Sequence, residues 1–240
     1  MVYLPTYCQY KIQNNNKNTQ TMKKSMKLLG FVALTALAVS CNNPKGDRAA
    51  ISESQEVTLT SGDVNAVVDV DKSTISWEGS KPTGKHHGTI DLKEGKLILM
   101  DGKLAGGKFV IDMTSITNED LTDPEQNQKL VNHLKSEDFF HVEKHPVSTF
   151  EITAVTPVEN GGANDYNVTG NLTMKDISKS VTFPATIEVT DDSVNAKTPP
   201  FIIDRSHWNV QFGSRTFFKD LQDKFINDEI TLTIHLVANN

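Results

Sequence analysis

The chain has 240 residues, of which 37% are apolar and 22% charged, a composition typical of a folded domain and not of a disordered or collagen-like chain. Two cysteines exclude a disulfide framework and a four-cysteine zinc site. The formal charge is −6, but it is unevenly distributed, since residues 1–40 carry five lysines and no acidic residue. Residues 41–240 therefore hold 19 of the 24 basic residues and all 30 acidic ones. A domain this acidic is repelled by the phosphate backbone, so nucleic-acid binding is disfavoured.

The N-terminal region has the features of a bacterial export signal. Three lysines within residues 23–27 precede the uncharged run 28–39, which is too short for a membrane span of about 20 residues. Residues 38–41, Ala-Val-Ser-Cys, resemble a bacterial lipobox. We therefore expect residues 1–40 to be an upstream extension and lipoprotein signal peptide. Lipidated Cys41 would anchor the protein in the cell envelope, facing the periplasm or the surface; a secreted protein with a free thiol is the alternative.

The polar segment 41–65 follows the predicted lipidation site. It is rich in Asn, Ser and Glu and shows little apolar periodicity. Such a composition cannot bury enough apolar surface to fold alone. We expect a flexible tether here, followed by a single domain over residues 66–240.

Apolar and polar residues alternate through the predicted domain, as in half-buried β-strands. Turn residues separate these short runs, and at least eight of them predict an antiparallel barrel or sandwich. Glu94-Gly95 and Asp101-Gly102 resemble hairpin turns, in which glycine supplies a positive φ. The apolar positions that define the runs include Val68 and Val70, Ile75 and Trp77, Phe109, Ile111 and Met113, Phe150 and Ile152, Phe183, Ala185 and Ile187, and Ile230, Leu232 and Ile234.

One segment of about 30 residues interrupts the strand pattern. Asp123-Pro124 is typical of a helix N-cap followed by proline at the first helical position. Leu130, Val131 and Leu134 then follow at helical spacing. The insertion is long enough to lie as a lid across one end of a barrel.

Histidines and nucleophiles give no convincing catalytic or metal site. His133, His141 and His145 could supply metal ligands, but Pro146 disfavours a helix that would bring the last two together, and we favour a polar, solvent-facing loop. We expect His86-His87 at a loop surface. There is no Gly-x-Ser-x-Gly elbow and no cysteine after residue 41. We therefore predict no catalytic residue, no metal site and no enzyme activity.

Three stretches together resemble the YceI-like family: residues 74–88 (TISWEGSKPTGKHHG), residues 134–146 (LKSEDFFHVEKHP) and residues 170–183 (GNLTMKDISKSVTF). The middle stretch matches the family signature Leu-x-Ser-x-Asp-Phe-Phe-x-Val-x-x-x-Pro, and the likeness extends over about residues 66–238. The resemblance implies an all-β, extended antiparallel eight-stranded lipocalin-like barrel with a short helical lid insertion. It also implies that the barrel encloses a long isoprenoid or another amphiphile.

A lipid tunnel would be lined by the apolar faces of the strands. An eight-stranded barrel is just wide enough to be filled by side chains or to hold one small ligand. We expect the protein to bind and sequester or carry an amphiphilic lipid, with no cofactor other than a non-covalently bound polyisoprenoid or quinone-like lipid; a homodimer is compatible with the sequence. The alternative is a non-catalytic interaction module with a filled core, which docks a protein through its acidic surface or the loop 114–145. The expected ligand-binding residues are Trp77, Phe109, Met113, Phe139, Phe140, Phe150, Phe183 and Ile187.

Overall fold

The structure, a computed structural model, describes residues 44–58 and 61–240. The predictions of a signal peptide over residues 1–40 and of lipidation at Cys41 lie outside the described residues. A single α-helix, α1 (Pro124–Lys135), occurs among the described residues, together with 3₁₀ turns at Met113–Ser115, Arg205–Trp208 and Gln222–Lys224. The strands within the same part of the chain are β1 (Asp47–Arg48), β2 (Ala50–Glu53), β3 (Val64–Val68), β4 (Thr74–Lys81), β5 (Gly84–Ile90), β6 (Leu92–Met100), β7 (Lys103–Asp112), β8 (Val147–Pro157), β9 (Asp165–Met174), β10 (Ile177–Val189), β11 (Ser193–Lys197), β12 (Phe201–Asp204) and β13 (Glu229–Asn239).

Eight antiparallel strands form a closed ring in the order β3-β6-β7-β8-β9-β10-β11-β13. The ring closes where the end of β13 pairs with β3, with Ala238 opposite Val68. Successive inward positions along these strands are apolar because side chains alternate between the two faces of a strand. The predicted eight-stranded antiparallel barrel is confirmed.

The barrel continues beyond this ring at one end. The first half of β13 pairs with β12 on one side and with β4 on the other, and β4 pairs with β5. The free edge of β5 is covered by residues 117–119, where the backbone N–H groups of Thr117 and Glu119 donate to the carbonyls of Thr89 (3.0 Å) and His87 (2.9 Å). Gly88 permits this approach, since a Cβ there would lie 2.1 Å from the Thr117 carbonyl oxygen.

The N-terminal strands β1 and β2 lie in the gap between β10 and β12, which is called the seam below. Strand β1 runs parallel to β12, and β2 runs antiparallel to β10. Ala49 and Ile51 pack against the core from this segment, and the backbone N–H of Ala49 donates to the Ile202 carbonyl at 2.8 Å. The expectation of a flexible tether is therefore wrong for residues 47–53. Their composition alone supports no fold, but the open seam supplies ladder partners that a local pattern cannot show.

Two of the predicted turn sequences have different roles in the structure. Asp101 (φ 51°) and Gly102 (φ 69°) form the hairpin turn between β6 and β7, as expected. The prediction of a turn at Glu94-Gly95 is wrong, because both residues lie inside β6 beside a β-bulge. Glycine is needed there for packing, since a Cβ on Gly95 would lie 2.6 Å from the side chain of Val68.

The predicted helix begins where its capping residues place it. The Asp123 carboxylate accepts a hydrogen bond from the Gln126 backbone N–H at 2.9 Å, and Pro124 is the first helical residue. Val131 and Leu134 are the buried positions of α1. Across residues 44–58 and 61–240, no helix is long and apolar enough to span a membrane.

Candidate functional site

The extended end of the barrel contains a cavity of about 400 Å³, referred to below as the main cavity. Its walls come from the inward faces of β4, β5, β7, β8, β9, β12 and β13. Its lid comes from α1, the turn that follows it, and the loop between residues 205 and 228. The volume falls within the range of small-molecule sites, about 300–1,000 Å³.

A second cavity of about 130 Å³, the deep cavity, lies within the closed ring. Its wall is almost wholly aliphatic and aromatic. The two cavities share part of their lining and so lie end to end along the barrel. The residues common to both form a constriction between them: Ile75, Ile111, Leu172, Ile203 and Leu232.

All eight residues that the sequence suggested for ligand binding line one of these cavities. Their contact with a ligand remains a prediction, but the structure brings them together along one interior. The main cavity is lined by Trp77, Met113, Phe139 and Phe140. The deep cavity is lined by Phe109, Phe150, Phe183 and Ile187.

Aromatic rings pack against one another in the wall of the deep cavity. The rings of Phe183 and Phe201 stack with their centroids 4.4 Å apart and their planes within 9°. Phe150 lies 5.6 Å from Phe183 and 6.3 Å from Phe109. Offset and tilted contacts of this kind favour fixed ring positions. The space left between them is consequently shaped by rigid groups.

The lid is a second aromatic cluster. The ring of Phe139 lies 5.5 Å from Phe140 and 6.1 Å from Phe212, and His133 of α1 lies 4.5 Å from Phe212. Lys175 ties the two parts of the lid together, because its Nζ donates to the carbonyls of Phe139 (2.9 Å) and Asn209 (3.1 Å). Burial lowers the pKa of this lysine.

Arg205 organises the loop over the main cavity. Its side chain is fully buried, and the guanidinium lies 5.1 Å from the Phe139 ring centre and 3.2 Å from Asp228 Oδ1. Burial lowers the pKa of Arg205, and the Asp228 carboxylate opposes this effect. Its nitrogens donate to four backbone carbonyls, those of Asn227 (3.3 Å), Val210 (3.0 Å), Phe212 (2.8 Å) and Ile226 (3.3 Å).

The main cavity also contains a few polar side chains. His86 lines it and forms a 2.8 Å hydrogen bond through Nδ1 with Asp120. Burial raises the pKa of Asp120, but hydrogen bonds from the His87 backbone, His86 and Asn118 outweigh this, so the net effect is a lowered pKa.

Both histidine predictions need correction. His86 and His87 lie on strand β5 and not at a loop surface; as neighbours in a strand they point to opposite faces, and His86 points inward. His141 and His145 line a polar cleft outside the barrel, but His145 is not solvent-facing, since only 9% of its side chain is exposed and its Nδ1 lies 3.3 Å from Asp176. Among the described residues, no cluster of three or more His, Cys, Asp and Glu could hold a metal ion.

Sequence reasoning missed the polar part of the main cavity. Ser148 and Arg205 gave no signal because Ser148 precedes the apolar positions of its strand and Arg205 follows those of β12. The inward orientation of His86 could not be predicted from the sequence, because it depends on the pairing of His86 with Gly79 across β4 and β5. The alternation that begins at Ile75 and Trp77 could have predicted the inward face of β4, including Gly79 and Lys81.

Comparison with known sequences gives one family. The YceI-like domain matches residues 67–238, so β1 and β2 lie outside the matched range. A UPF0312 protein of Pseudomonas aeruginosa is 40% identical over 75 residues, which is 31% of this chain and 36% of that protein. A UPF0312 protein of Azotobacter vinelandii is 40% identical over 53 residues, 22% of this chain and 26% of its own length. The chain thus spans about a quarter to a third of the length of the curated relatives it matches.

Solved structures share the fold. BcnA of Burkholderia cenocepacia is 29% identical, with a TM-score of 0.51 over 71% of this chain and 99% of that one. A polyisoprenoid binding domain from Saccharophagus degradans, implicated in plant cell wall breakdown, is 12% identical, with a TM-score of 0.52 over 72% of this chain and 97% of its own. At that identity the second likeness shows the fold alone. The resemblance drawn from the three sequence stretches is confirmed.

Proposed function

Because the chain belongs to the YceI-like family, we propose that it binds the apolar chain of an isoprenoid or similar amphiphilic lipid inside its barrel, to sequester or carry it without chemical change. The observation that supports this proposal is the pair of apolar cavities that lie end to end in the barrel. A close-packed protein interior leaves few voids larger than a water molecule. An interaction module with a filled core would contain no cavities of this size.

The cavity volumes indicate the size of the ligand. An apolar cavity of about 150 Å³ holds one benzene, which is about 25 Å³ per carbon. At that density the main cavity of about 400 Å³ and the deep cavity of about 130 Å³ accept roughly 16 and 5 carbons, about 20 together. A chain of four isoprene units has this size, and a longer chain would extend past the lid.

Apolar contact supplies only part of the affinity for such a ligand. At about −0.3 kcal/mol per atom, some 20 carbons give about −6 kcal/mol, which corresponds to tens of micromolar. Aromatic walls held rigid by stacking reduce the ordering cost of binding. The polyisoprenoid binding domain from Saccharophagus degradans shares this fold, and its named ligand class is the one we propose here.

The proposal includes a place of action in the bacterial cell envelope. If Cys41 carries lipid, residues 42–46 separate it from β1 and can reach no more than about 18 Å. The barrel would then lie close to the membrane from which it takes its ligand. Mass spectrometry of the mature N-terminus tests this part: a lipid-modified Cys41 supports it, and an unmodified residue at another start contradicts it.

Native mass spectrometry of the purified protein, followed by organic extraction, tests the binding proposal. Gly79 lines the main cavity, and a Cβ built on it meets nothing within 4 Å, so the seven carbons of Gly79→Phe can occupy roughly 175 Å³ of the cavity without displacing the wall. Gly79→Ala is the matched control. We expect a bound lipid in the wild type and in the Gly79→Ala variant, and its loss from Gly79→Phe. A wild-type protein that carries no lipid and takes up no added isoprenoid would favour the docking module.

A further inference from the structure

Two polar atoms in the wall of the main cavity are buried without a hydrogen-bond partner among the described residues. They are Nε1 of Trp77 and Oγ of Ser148; both residues line the cavity, but the two polar atoms themselves are covered by neighbouring atoms, so a ligand contacts them only after a side-chain rotation. Trp208 shows the ordinary arrangement, since its Nε1 donates to the Leu172 carbonyl at 2.9 Å. A buried donor without a partner destabilises a fold, so such groups are rare and call for an explanation.

The two residues project from different walls of the same space. Trp77 lies on β4, one inward position from the constriction residue Ile75. Ser148 lies at the start of β8, directly opposite the constriction residue Ile111. Both residues therefore lie inside the main cavity, away from the exposed lysines Lys81 and Lys224, which also line it.

Apart from the exposed Lys81 and Lys224, the charged group in the cavity lining, Arg205, is already paired. The Arg205 guanidinium donates to four carbonyls and lies beside Asp228. His86 is held by Asp120. A ligand phosphate or carboxylate placed inside would meet no free cation next to Trp77 or Ser148 among the described residues, and burying an unpaired charge is costly.

We propose that Trp77 and Ser148 form a polar subsite for an uncharged oxygen of the ligand, such as an ester or ketone carbonyl. The inference rests on the proposed function and specifies its ligand further. An indole N–H can only donate, whereas a serine hydroxyl can donate or accept, so a carbonyl oxygen can satisfy either group and a hydrocarbon can satisfy neither. The subsite selects amphiphiles whose neutral polar group lies inside the barrel.

The test compares two ligands of equal chain length, geranylgeranyl acetate and the corresponding hydrocarbon, by calorimetry on the purified protein. We expect the wild type to bind the ester roughly tenfold more tightly than the hydrocarbon. Ser148→Ala and Trp77→Phe should each lower this ratio towards one. Because Trp77→Phe also enlarges the cavity, the affinity of this variant for the ester is compared with its own affinity for the hydrocarbon.

Thermal unfolding separates a ligand-binding role from a structural one. Removing an unpartnered buried hydroxyl should raise the Tm of the ligand-free Ser148→Ala variant. Ser73→Ala is the matched control: its hydroxyl donates to the Asp69 carbonyl at 2.7 Å, so its loss should lower Tm and leave the ester-to-hydrocarbon ratio unchanged. A lower Tm for Ser148→Ala would contradict the assignment.

Failure of the subsite can be distinguished from failure of the proposed function. If the wild type binds both ligands equally, or if the ratio survives both substitutions, the polar subsite is refuted while lipid binding stands. If the wild type binds neither ligand, both proposals fall. Tighter binding of geranylgeranyl diphosphate than of the acetate would also overturn the subsite, since it would indicate a charged group held at the lysines of the rim.

Discussion

Replacing Ala185 with leucine should shorten the lipid chain that the barrel accepts. Ala185 is a buried residue of β10 that lines the deep cavity. Leucine adds three carbons, which at about 25 Å³ each occupy roughly 75 Å³ of a space of about 130 Å³. The main cavity is unaffected, because Ala185 does not line it.

The expected loss of affinity follows from the carbons that are displaced. The deep cavity holds about five carbons. Leucine displaces about three of them, and each contributes between about 0.3 and 0.8 kcal/mol, so their exclusion costs about 0.9–2.4 kcal/mol, roughly a five- to sixty-fold rise in Kd. A chain short enough to occupy the main cavity alone loses nothing.

Calorimetric titration with geraniol, farnesol and geranylgeraniol, each one isoprene unit longer than the last, measures this effect. The wild type should bind each longer alcohol more tightly, whereas in Ala185→Leu most of the gain from farnesol to geranylgeraniol should be lost. Glu188→Leu places the same leucine side chain at an exposed position of the same strand and should behave as the wild type. If Ala185→Leu retains the full gain from farnesol to geranylgeraniol, the chain does not enter the deep cavity.

Two further predictions concern the seam and the mouth of the barrel. Ile51→Asp should lower the free energy of unfolding by about 1–3 kcal/mol, because it places a charge against the core where β2 pairs with β10. Urea unfolding measures this loss. The exposed control Ser52→Asp should have little effect, and an equal loss in that variant would contradict the prediction. Asp120→Asn should destabilise the protein at pH 7 and should do so less at pH 3. The folded pKa of Asp120 is lowered, so its contribution is present above about pH 4 and is lost as the pH falls through the folded value. Urea unfolding at the two pH values measures this difference, and a stability difference between variant and wild type that is as large at pH 3 as at pH 7 would contradict the ionic role.

The alternating pattern was sufficient to predict an antiparallel barrel or sandwich and the interior face of its strands, while the choice of a barrel came from the family resemblance. Trp77, Phe109 and Phe183 fall on inward positions because the period of a strand is two, and closure then brings those faces together. The helix was equally predictable, since Asp123 and Pro124 are a local capping signal. Each of these predictions depends only on residues near one another in the chain.

The features that were missed depend on contacts distant in sequence. The segment containing Ile51 is polar, and only the open edges of β10 and β12 make it a strand. Gly95 reads as a turn residue, but it is required by the side chain of Val68, which packs over it. Ser148 lies at the start of β8, ahead of the apolar positions of that strand, and its lack of a hydrogen-bond partner is visible only once the opposite wall is in place.

Photo-crosslinking tests the central claim, that the lipid chain lies inside the barrel, most directly. A geranylgeranyl ester with a diazirine at its chain end would be bound to the protein, irradiated and mapped by mass spectrometry. The account predicts crosslinks to residues of the deep cavity, such as Phe183 and Ile187. Crosslinks confined to the exposed Phe217 and Phe218 would contradict it, because the chain would then lie on the outer surface.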